Sequence, residues 1–212
     1  LYSMKRRTIR WYKLIKQAAP KIDPKTIYPY PLDISWNPVK INKHGTLEHR
    51  GMDANFPSIN LANMVLFKYA MRSIQRNFLK VLPTDVGIDN AFKQEKDMLY
   101  IPPHTVVRSK LQRASVFKGY EDKDLYKYAK RFMRFAKHQT PKKYQKLLKP
   151  IEDMIENKKS VSDKMVDYMK RRGNGNNTIS QKDAAELALH FSEKLKKDIA
   201  DVEKNLSKLK AL

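Results

Sequence analysis

The chain contains no cysteine, so disulfide bonds, thiolate nucleophiles and cysteine-ligated zinc or iron–sulfur sites are excluded. Glycine is also scarce, with six in 212 residues, and none belongs to a phosphate-binding loop, a dinucleotide-binding fingerprint or a nucleophile elbow. No apolar run approaches the roughly 20 residues that a membrane-spanning helix needs. The run 64–67, for example, is ended by Lys68.

Catalytic and metal-binding patterns are missing as well. The five histidines are dispersed and form neither H-x-x-x-H nor H-E-x-x-H: His44, His49, His104, His138 and His190. His44 and His49 with Glu48 come closest to a metal cluster, but they lie in one glycine-containing loop and not on converging elements. The carboxylates within 121–124 stand where capping of a helix explains them. We therefore predict no enzyme, no cofactor and no metal site.

Acidic residues are absent from four stretches, 1–22, 54–84, 98–120 and 125–151. These stretches hold 24 of the 44 lysine and arginine residues, whereas the rest of the chain has 20 basic and 22 acidic residues. The net charge of +22 is thus concentrated in about half of the chain. Because an acid-free basic stretch repels itself unless something negative lies against it, the pattern predicts a polyanionic partner.

The N-terminal part divides into a basic helix over residues 4–17 and a proline-rich segment over 20–57. The helix has three interpretations: a nucleic-acid-binding arm, a membrane-surface helix, or the remainder of a targeting segment. The dense prolines of the second segment exclude a long helix and a central strand. We predict an extended arm with a bend at 43–45 that lies on another molecule. The alternative is a linker that packs on its own domain.

Residues 60–82 are predicted to form a helix that Asn60 caps and Pro83 ends. Apolar residues spaced by three and four predict its buried stripe: Met64, Phe67, Met71, Ile74, Phe78 and Val81. A cationic ridge follows another face at every fourth residue: Lys68, Arg72, Arg76 and Lys80. Part of 98–107 has strand character, and 106–118 fits either a strand or a short helix.

Further helices are predicted in the second half of the chain. Residues 121–138 have acidic residues in the first turn and basic residues after it, which matches the helix macrodipole. Thr140, followed by Pro141, is predicted to cap the next helix, and Ser162 to cap a later one. Residues 173–177 (G-N-G-N-N) predict a flexible loop and the clearest boundary in the chain.

Ser180 and Asp183 predict a capping box that opens a long C-terminal helix reaching about Leu209. Its apolar residues recur at near-heptad spacing, which suits a coiled coil or a helix docked on a neighbour. Packing on its own domain fits the same pattern. We predict that the helix contacts a partner protein through five apolar residues: Phe191, Leu195, Ile199, Val202 and Leu206.

The predicted fold is mainly α, with a small irregular helical core, an extended proline-rich N-terminal arm and a long C-terminal helix. Residues 1–57 are the basic helix and arm, and 58–172 are the helical core with basic faces. Residues 173–179 are the loop, and 180–212 are the amphipathic C-terminal helix.

These patterns predict a structural, RNA-binding component of a large ribonucleoprotein, namely a ribosomal protein. Because no RRM signature, KH loop or zinc finger is present, contacts would be to the backbone and shape of rRNA. The predicted RNA-binding residues are Arg6, Arg7, Arg10, Lys68, Arg72, Arg76, Arg108, Arg113, Lys127, Arg131, Arg134, Lys142 and Lys143. We expect a mitochondrial ribosome in the matrix, since a leader removed before Leu1 would suit import, or otherwise a cytoplasmic ribosome.

Two other functional classes fit parts of the pattern. The first is a peripheral accessory subunit of a mitochondrial energy-transducing membrane complex, whose basic surface would rest on anionic lipid. The second is a stand-alone DNA-binding protein, which the lack of a helix-turn-helix or basic zipper pattern disfavours.

Overall fold

The computed structural model describes residues 2–27, 39–41, 47–49, 55–172 and 179–210. The chain divides into two compact units, Leu1–Ala54 and Asn55–Leu212. The second unit includes the C-terminal helix.

The first unit begins with helix α1 (Tyr2–Ala18), which confirms the helix predicted over 4–17. A short helix α2 (Pro24–Ile27) follows, and strand β1 (Val39–Ile41) pairs antiparallel with β2 (Leu47–His49). This pairing was not predicted. Most of the predicted extended arm, including the bend at 43–45, lies outside the described residues.

Helix α3 (Pro57–Arg76) opens the second unit and differs at both ends from the predicted helix over 60–82. Phe56 precedes the first turn of the helix, and Pro57 occupies the first helical position, where a backbone N–H would have no partner within the helix. The prediction that Asn60 caps the helix was therefore wrong. The helix ends in a Schellman motif: the N–H of Leu79 donates to Ile74 O (3.0 Å), and Phe78 adopts a left-handed φ of 50°.

The predicted buried stripe of α3 was also wrong. The buried residues are Ile59, Ala62, Val65, Leu66, Tyr69, Ala70 and Ser73. Met64, Phe67 and Met71 are exposed instead, as are Phe78 and Val81 beyond the helix. Both sets recur at spacings of three and four, so the pattern alone does not say which one faces the core.

A three-stranded sheet follows α3. Strand β3 (Lys80–Pro83) pairs parallel with β5 (Met98–Ile101), which pairs antiparallel with β4 (Gln94–Glu95), so the order is β3-β5-β4. Only the first residues of the predicted 98–107 strand are extended, because Pro102 and Pro103 end the pairing.

The segment that fitted either a strand or a helix is helical. It consists of α4 (His104–Val106), a π-helical turn (Val107–Leu111) and α5 (Gln112–Phe117). Leu111 is its only buried residue, and most of its other side chains face solvent. This segment is therefore attached to the unit at few points.

Helix α6 (Lys123–Gln139) confirms the helix predicted over 121–138. The carboxylate of Asp122 caps it by accepting from the N–H groups of Asp124 and Leu125. Thr140 does not cap the next helix, because it is buried at the end of α6 and its hydroxyl donates to Ala136 O (2.8 Å). That prediction was wrong: the hydroxyl is used by the helix before it.

After α6 come the short helix α7 (Lys142–Gln145) and a 3₁₀ turn (Lys146–Leu148). Three more helices follow: α8 (Lys149–Glu156), α9 (Val161–Arg171) and α10 (Gln181–Lys210). The cap of α9 is Ser160 and not the predicted Ser162, since Ser160 and Asp163 form a reciprocal capping box. Asp183 N donates to Ser180 Oγ (3.1 Å), in agreement with the predicted start of α10. The predicted loop 173–177 lies outside the described residues.

The main core lies where α3, α6, α8 and the 3₁₀ turn before α8 meet. Its buried members are Val65, Leu66, Tyr69, Ala70, Met133, Ala136, Leu148 and Ile155. Helix α10 packs on α3 and the residue before it, with the ring centroids of Phe191 and Phe56 6.3 Å apart and Ser58 N donating to Asp198 (2.8 Å). The fold is thus mainly α, with a small sheet and a long C-terminal helix.

Candidate nucleic-acid interface

One side of α6 is covered by basic side chains. Met133 and Ala136 turn the opposite side of the helix into the core. The residues that point outward at spacings of three and four are Lys123, Lys127, Lys130, Arg131, Arg134 and His138. We call this set the basic face of α6. It extends over roughly 22 Å, given a rise of about 1.5 Å per residue.

Neighbouring groups neutralise only part of this face. Lys127 Nζ lies 3.0 Å from the Asp89 carboxylate, and Lys130 Nζ lies 5.2 Å from the centre of the Tyr126 ring. Neither Arg131 nor Arg134 forms an ion pair within the part of the chain that the structure describes. Because guanidinium groups donate several hydrogen bonds in a fixed plane, these two are suited to phosphate oxygens.

A second group of predicted residues meets around two stacked tyrosines. The rings of Tyr69 (α3) and Tyr144 (α7) stack with centroids 5.8 Å apart. Lys68 Nζ lies 5.8 Å from the first ring and Lys143 Nζ lies 5.2 Å from the second. The fold therefore joins cations that are 75 positions apart in the sequence. Lys142 adjoins this group, and Arg72 and Arg76 continue along the exposed side of α3.

Arg108 and Arg113 lie on the exposed helical segment before α6. Lys110, between them, places its ammonium 2.5 Å from the Asp124 carboxylate. This hydrogen bond lowers the pKa of Asp124 and raises the pKa of Lys110. A cleft of about 410 Å³ beside this pair is lined by Arg113 and by Phe117, which is 77% exposed.

The three remaining predicted cations belong to the first unit. Arg6 and Arg10 are exposed on α1, whereas the side chain of Arg7 lies outside the described residues. Trp11 and Leu14 are also exposed on this helix, so α1 carries apolar as well as basic surface.

A cleft of about 310 Å³ against α6 was not predicted. Its lining combines aromatic rings, amides and cations: Ala91, Phe92, Gln94, Arg131, Arg134, Phe135, His138 and Gln139. Phe92 belongs to no apolar periodicity, so no sequence signal identifies it. Lys130 and His138 were also missing from the predicted site, although their spacing from Arg134 could have included them.

The predicted partner-facing residues of α10 divide into two groups. Phe191 is buried on Phe56, so it belongs to the core of the second unit and not to a partner surface. Leu195, Ile199 and Leu206 are 39%, 41% and 38% exposed, and Val202 is half-buried.

No protein-family model, curated protein or solved structure matches the chain. No helix among the described residues is long and apolar enough to cross a membrane. The same residues contain no group of three or more histidine, aspartate or glutamate side chains that could hold a metal ion.

Proposed function

We propose that this protein is a structural, RNA-binding component of a ribosome, the mitochondrial ribosome being the assembly that the sequence favours. The observation that carries the proposal is the basic face of α6, a helix whose opposite side is packed into the core, and this face includes two arginines without acidic partners among the described residues. Such a face neutralises phosphates and releases their counterions, which favours binding to any RNA backbone.

The basic face is suited to the backbone and shape of RNA and not to a particular sequence. Side chains spaced by three and four along one helix form a row of charges, and phosphates along a strand form a matching row. The group around Tyr69 and Tyr144 adds two exposed cations, Lys68 and Lys143, whereas Tyr69 itself is a buried core residue. The exposed apolar residues of α10 are the side on which we propose a neighbouring protein docks.

The test is to neutralise the centre of the basic face. We expect the variant Lys130→Gln/Arg131→Gln/Arg134→Gln, which leaves the Lys127–Asp89 pair intact, to bind rRNA fragments more weakly and with a shallower salt dependence. Loss of three phosphate contacts should reduce the slope of log K against log salt by about 2–3. Filter binding or fluorescence anisotropy from low to moderate salt measures this slope.

A matched control removes the same charge elsewhere. Lys196→Gln/Lys197→Gln/Lys204→Gln alters three exposed lysines of α10 and changes the net charge equally. We expect this variant to keep the native salt slope. If both variants reduced the slope equally, binding would depend on net charge alone, and the basic face would not be the interface.

A membrane-associated function has one specific observation in its favour. On α5, Val116 is 71% exposed and lies beside the exposed Phe117 and near the cations Arg113 and Lys118. Apolar side chains flanked by cations are typical of segments that lie on anionic membranes, as a peripheral subunit of an energy-transducing complex would. Binding to anionic vesicles without retention of RNA at low salt would favour this function. Co-sedimentation with ribosomal subunits would favour the first.

A further inference from the structure

The cleft against α6 has one wall from the start of β4 and the residues just before it, and one wall from α6 itself. Ala91, Phe92 and Gln94 form the first wall, and five residues of α6 form the second: Arg131, Arg134, Phe135, His138 and Gln139. Its volume of about 310 Å³ is at the lower end of the range for small-ligand sites. The cleft is therefore large enough for a single flat ring system and not for a nucleic-acid helix.

The position of Phe92 is held by an uncommon backbone conformation. Its φ of 62° lies in the left-handed region, which is rarely adopted by bulky residues. The conformation is maintained because Phe92 N donates to Tyr100 O (2.8 Å) and Tyr100 N donates to Lys93 O (3.0 Å). As a result, the Phe92 ring lies 5.2 Å from the Phe132 ring and 6.1 Å from the Phe135 ring. Such conformations persist where the surroundings enforce them, and they are concentrated at binding sites.

The lining offers groups suited to the face of a base, to the edge of a base and to a phosphate. Aromatic rings stack on the face of a base, and the Phe92 and Phe135 rings, which stack on each other, supply an aromatic surface in the cleft. Amides donate to and accept from the edge of a base, and Gln94 and Gln139 each supply one. Gln94 Nε2 donates to Lys96 O (3.1 Å), which orients that side chain. Arg131 and Arg134 provide cations for the phosphate. No carboxylate is among the residues that line the cleft.

We infer that this cleft binds one unpaired base of an RNA strand whose phosphates lie along the basic face of α6. The inference rests on the proposed RNA-binding function and makes it more specific. The protein distinguishes RNA with an unstacked base from uniformly paired RNA, although it reads the rest of the strand only through its backbone.

The test compares two single-stranded RNA oligonucleotides of equal length and phosphate number. One carries 2-aminopurine at its centre, and the other carries an abasic residue there. Loss of the base should weaken binding to the native protein at least about fivefold, because stacking of one base on an aromatic ring is lost. The fluorescence of 2-aminopurine should be quenched on binding, since it decreases when the base stacks on a ring.

Two variants locate the effect in the cleft. Phe92→Leu keeps an apolar side chain but removes the ring face, and Gln139→Ala removes an amide without altering the aromatic packing. Each should reduce the preference for the intact oligonucleotide over the abasic one. Phe78→Leu is the matched control, because Phe78 is an exposed phenylalanine with a similar left-handed φ that does not line this cleft. It should leave the preference unchanged. Circular dichroism verifies the fold, and Gln139→Ala decides the test if Phe92→Leu does not fold.

The outcomes separate this inference from the function on which it rests. Equal affinity for the intact and abasic oligonucleotides, with no quenching, would overturn the cleft inference while leaving backbone binding intact. An equal loss of preference in Phe78→Leu would also overturn it. Failure of the native protein to retain either oligonucleotide at low salt would overturn the proposed function itself.

Discussion

Leu148 offers the sharpest test of the core that supports the basic face of α6. Its side chain is fully buried in the 3₁₀ turn between α7 and α8. It belongs to the cluster that also contains Met133 and Ala136, the residues on the inner side of α6. The substitution Leu148→Ala removes three carbon atoms from this cluster and introduces no polar group.

The expected loss follows from burial. Three carbons at about 0.8 kcal/mol each give roughly 2.4 kcal/mol of lost transfer free energy. The cavity that remains adds to this value, so we expect the free energy of unfolding to fall by about 3 kcal/mol. For a unit of this size, about 2–4 °C are lost per kcal/mol, which predicts a Tm lower by roughly 6–12 °C.

Urea denaturation followed by circular dichroism measures the change, with differential scanning calorimetry as an independent measurement. Leu189→Ala is the matched control: it removes the same atoms from a residue of α10 that is 67% exposed, and we expect a change within about 0.5 kcal/mol. A loss below about 1 kcal/mol at Leu148, or equal losses at the two positions, would refute the described core.

Two further predictions concern the charge pair beside α6 and the end of α3. Lys110→Gln should raise the pKa of Asp124 towards its ordinary value, as measured by NMR titration; an unchanged pKa would contradict the pairing. Because the folded-state pKa is lowered, the pair stabilises the fold above about pH 3.9 and loses its contribution as pH falls through the lowered pKa. Phe78→Gly should leave the free energy of unfolding unchanged or raise it, because glycine adopts the left-handed φ of residue 78 without strain. Gln75→Gly, within the helix, should instead lower the free energy of unfolding by about 1 kcal/mol. If urea denaturation showed equal losses of unfolding free energy for Phe78→Gly and Gln75→Gly, the conformation of residue 78 would not be strained.

Local patterns predicted several helices correctly because their signals are short-range. In α6, acidic residues in the first turn precede basic residues, and both sets act on the dipole of the same helix. In α10, Ser180 and Asp183 meet three residues apart whatever the rest of the chain does. These features need no knowledge of distant residues.

The wrong predictions arose where two arrangements of a helix fitted the local sequence equally well. At α3, two sets of residues shared the same spacing, and packing against α6 and α8 buries the set that includes Val65, Leu66 and Tyr69. Thr140 could cap the following helix or bond to the preceding one, and burial at the end of α6 favours the second. Ser160 and Ser162 both precede a helical pattern, but only Ser160 stands three residues before Asp163.

The candidate site likewise combines features that the local sequence predicts with features that it does not. Periodicity within α6 was sufficient to place Lys127, Arg131 and Arg134 on one side of a helix. It could not show that Asp89 neutralises Lys127, since the two residues are 38 positions apart. Nor could it show that Lys68 and Lys143 meet around stacked tyrosines, or that Phe92 forms a cleft with α6.

The sequence by itself determined the charge, the mainly helical fold and the positions of the long helices, because composition and local periodicity act within a few turns of chain. Only the tertiary structure decided which helix faces are buried, which cations are paired with a carboxylate and where an aromatic cleft opens beside the basic face of α6. The physical reason is that burial and ion pairing depend on residues brought together from distant positions. Hydrophobic spacing specifies that a helix has an inner side, but the neighbours that it meets determine which side that is.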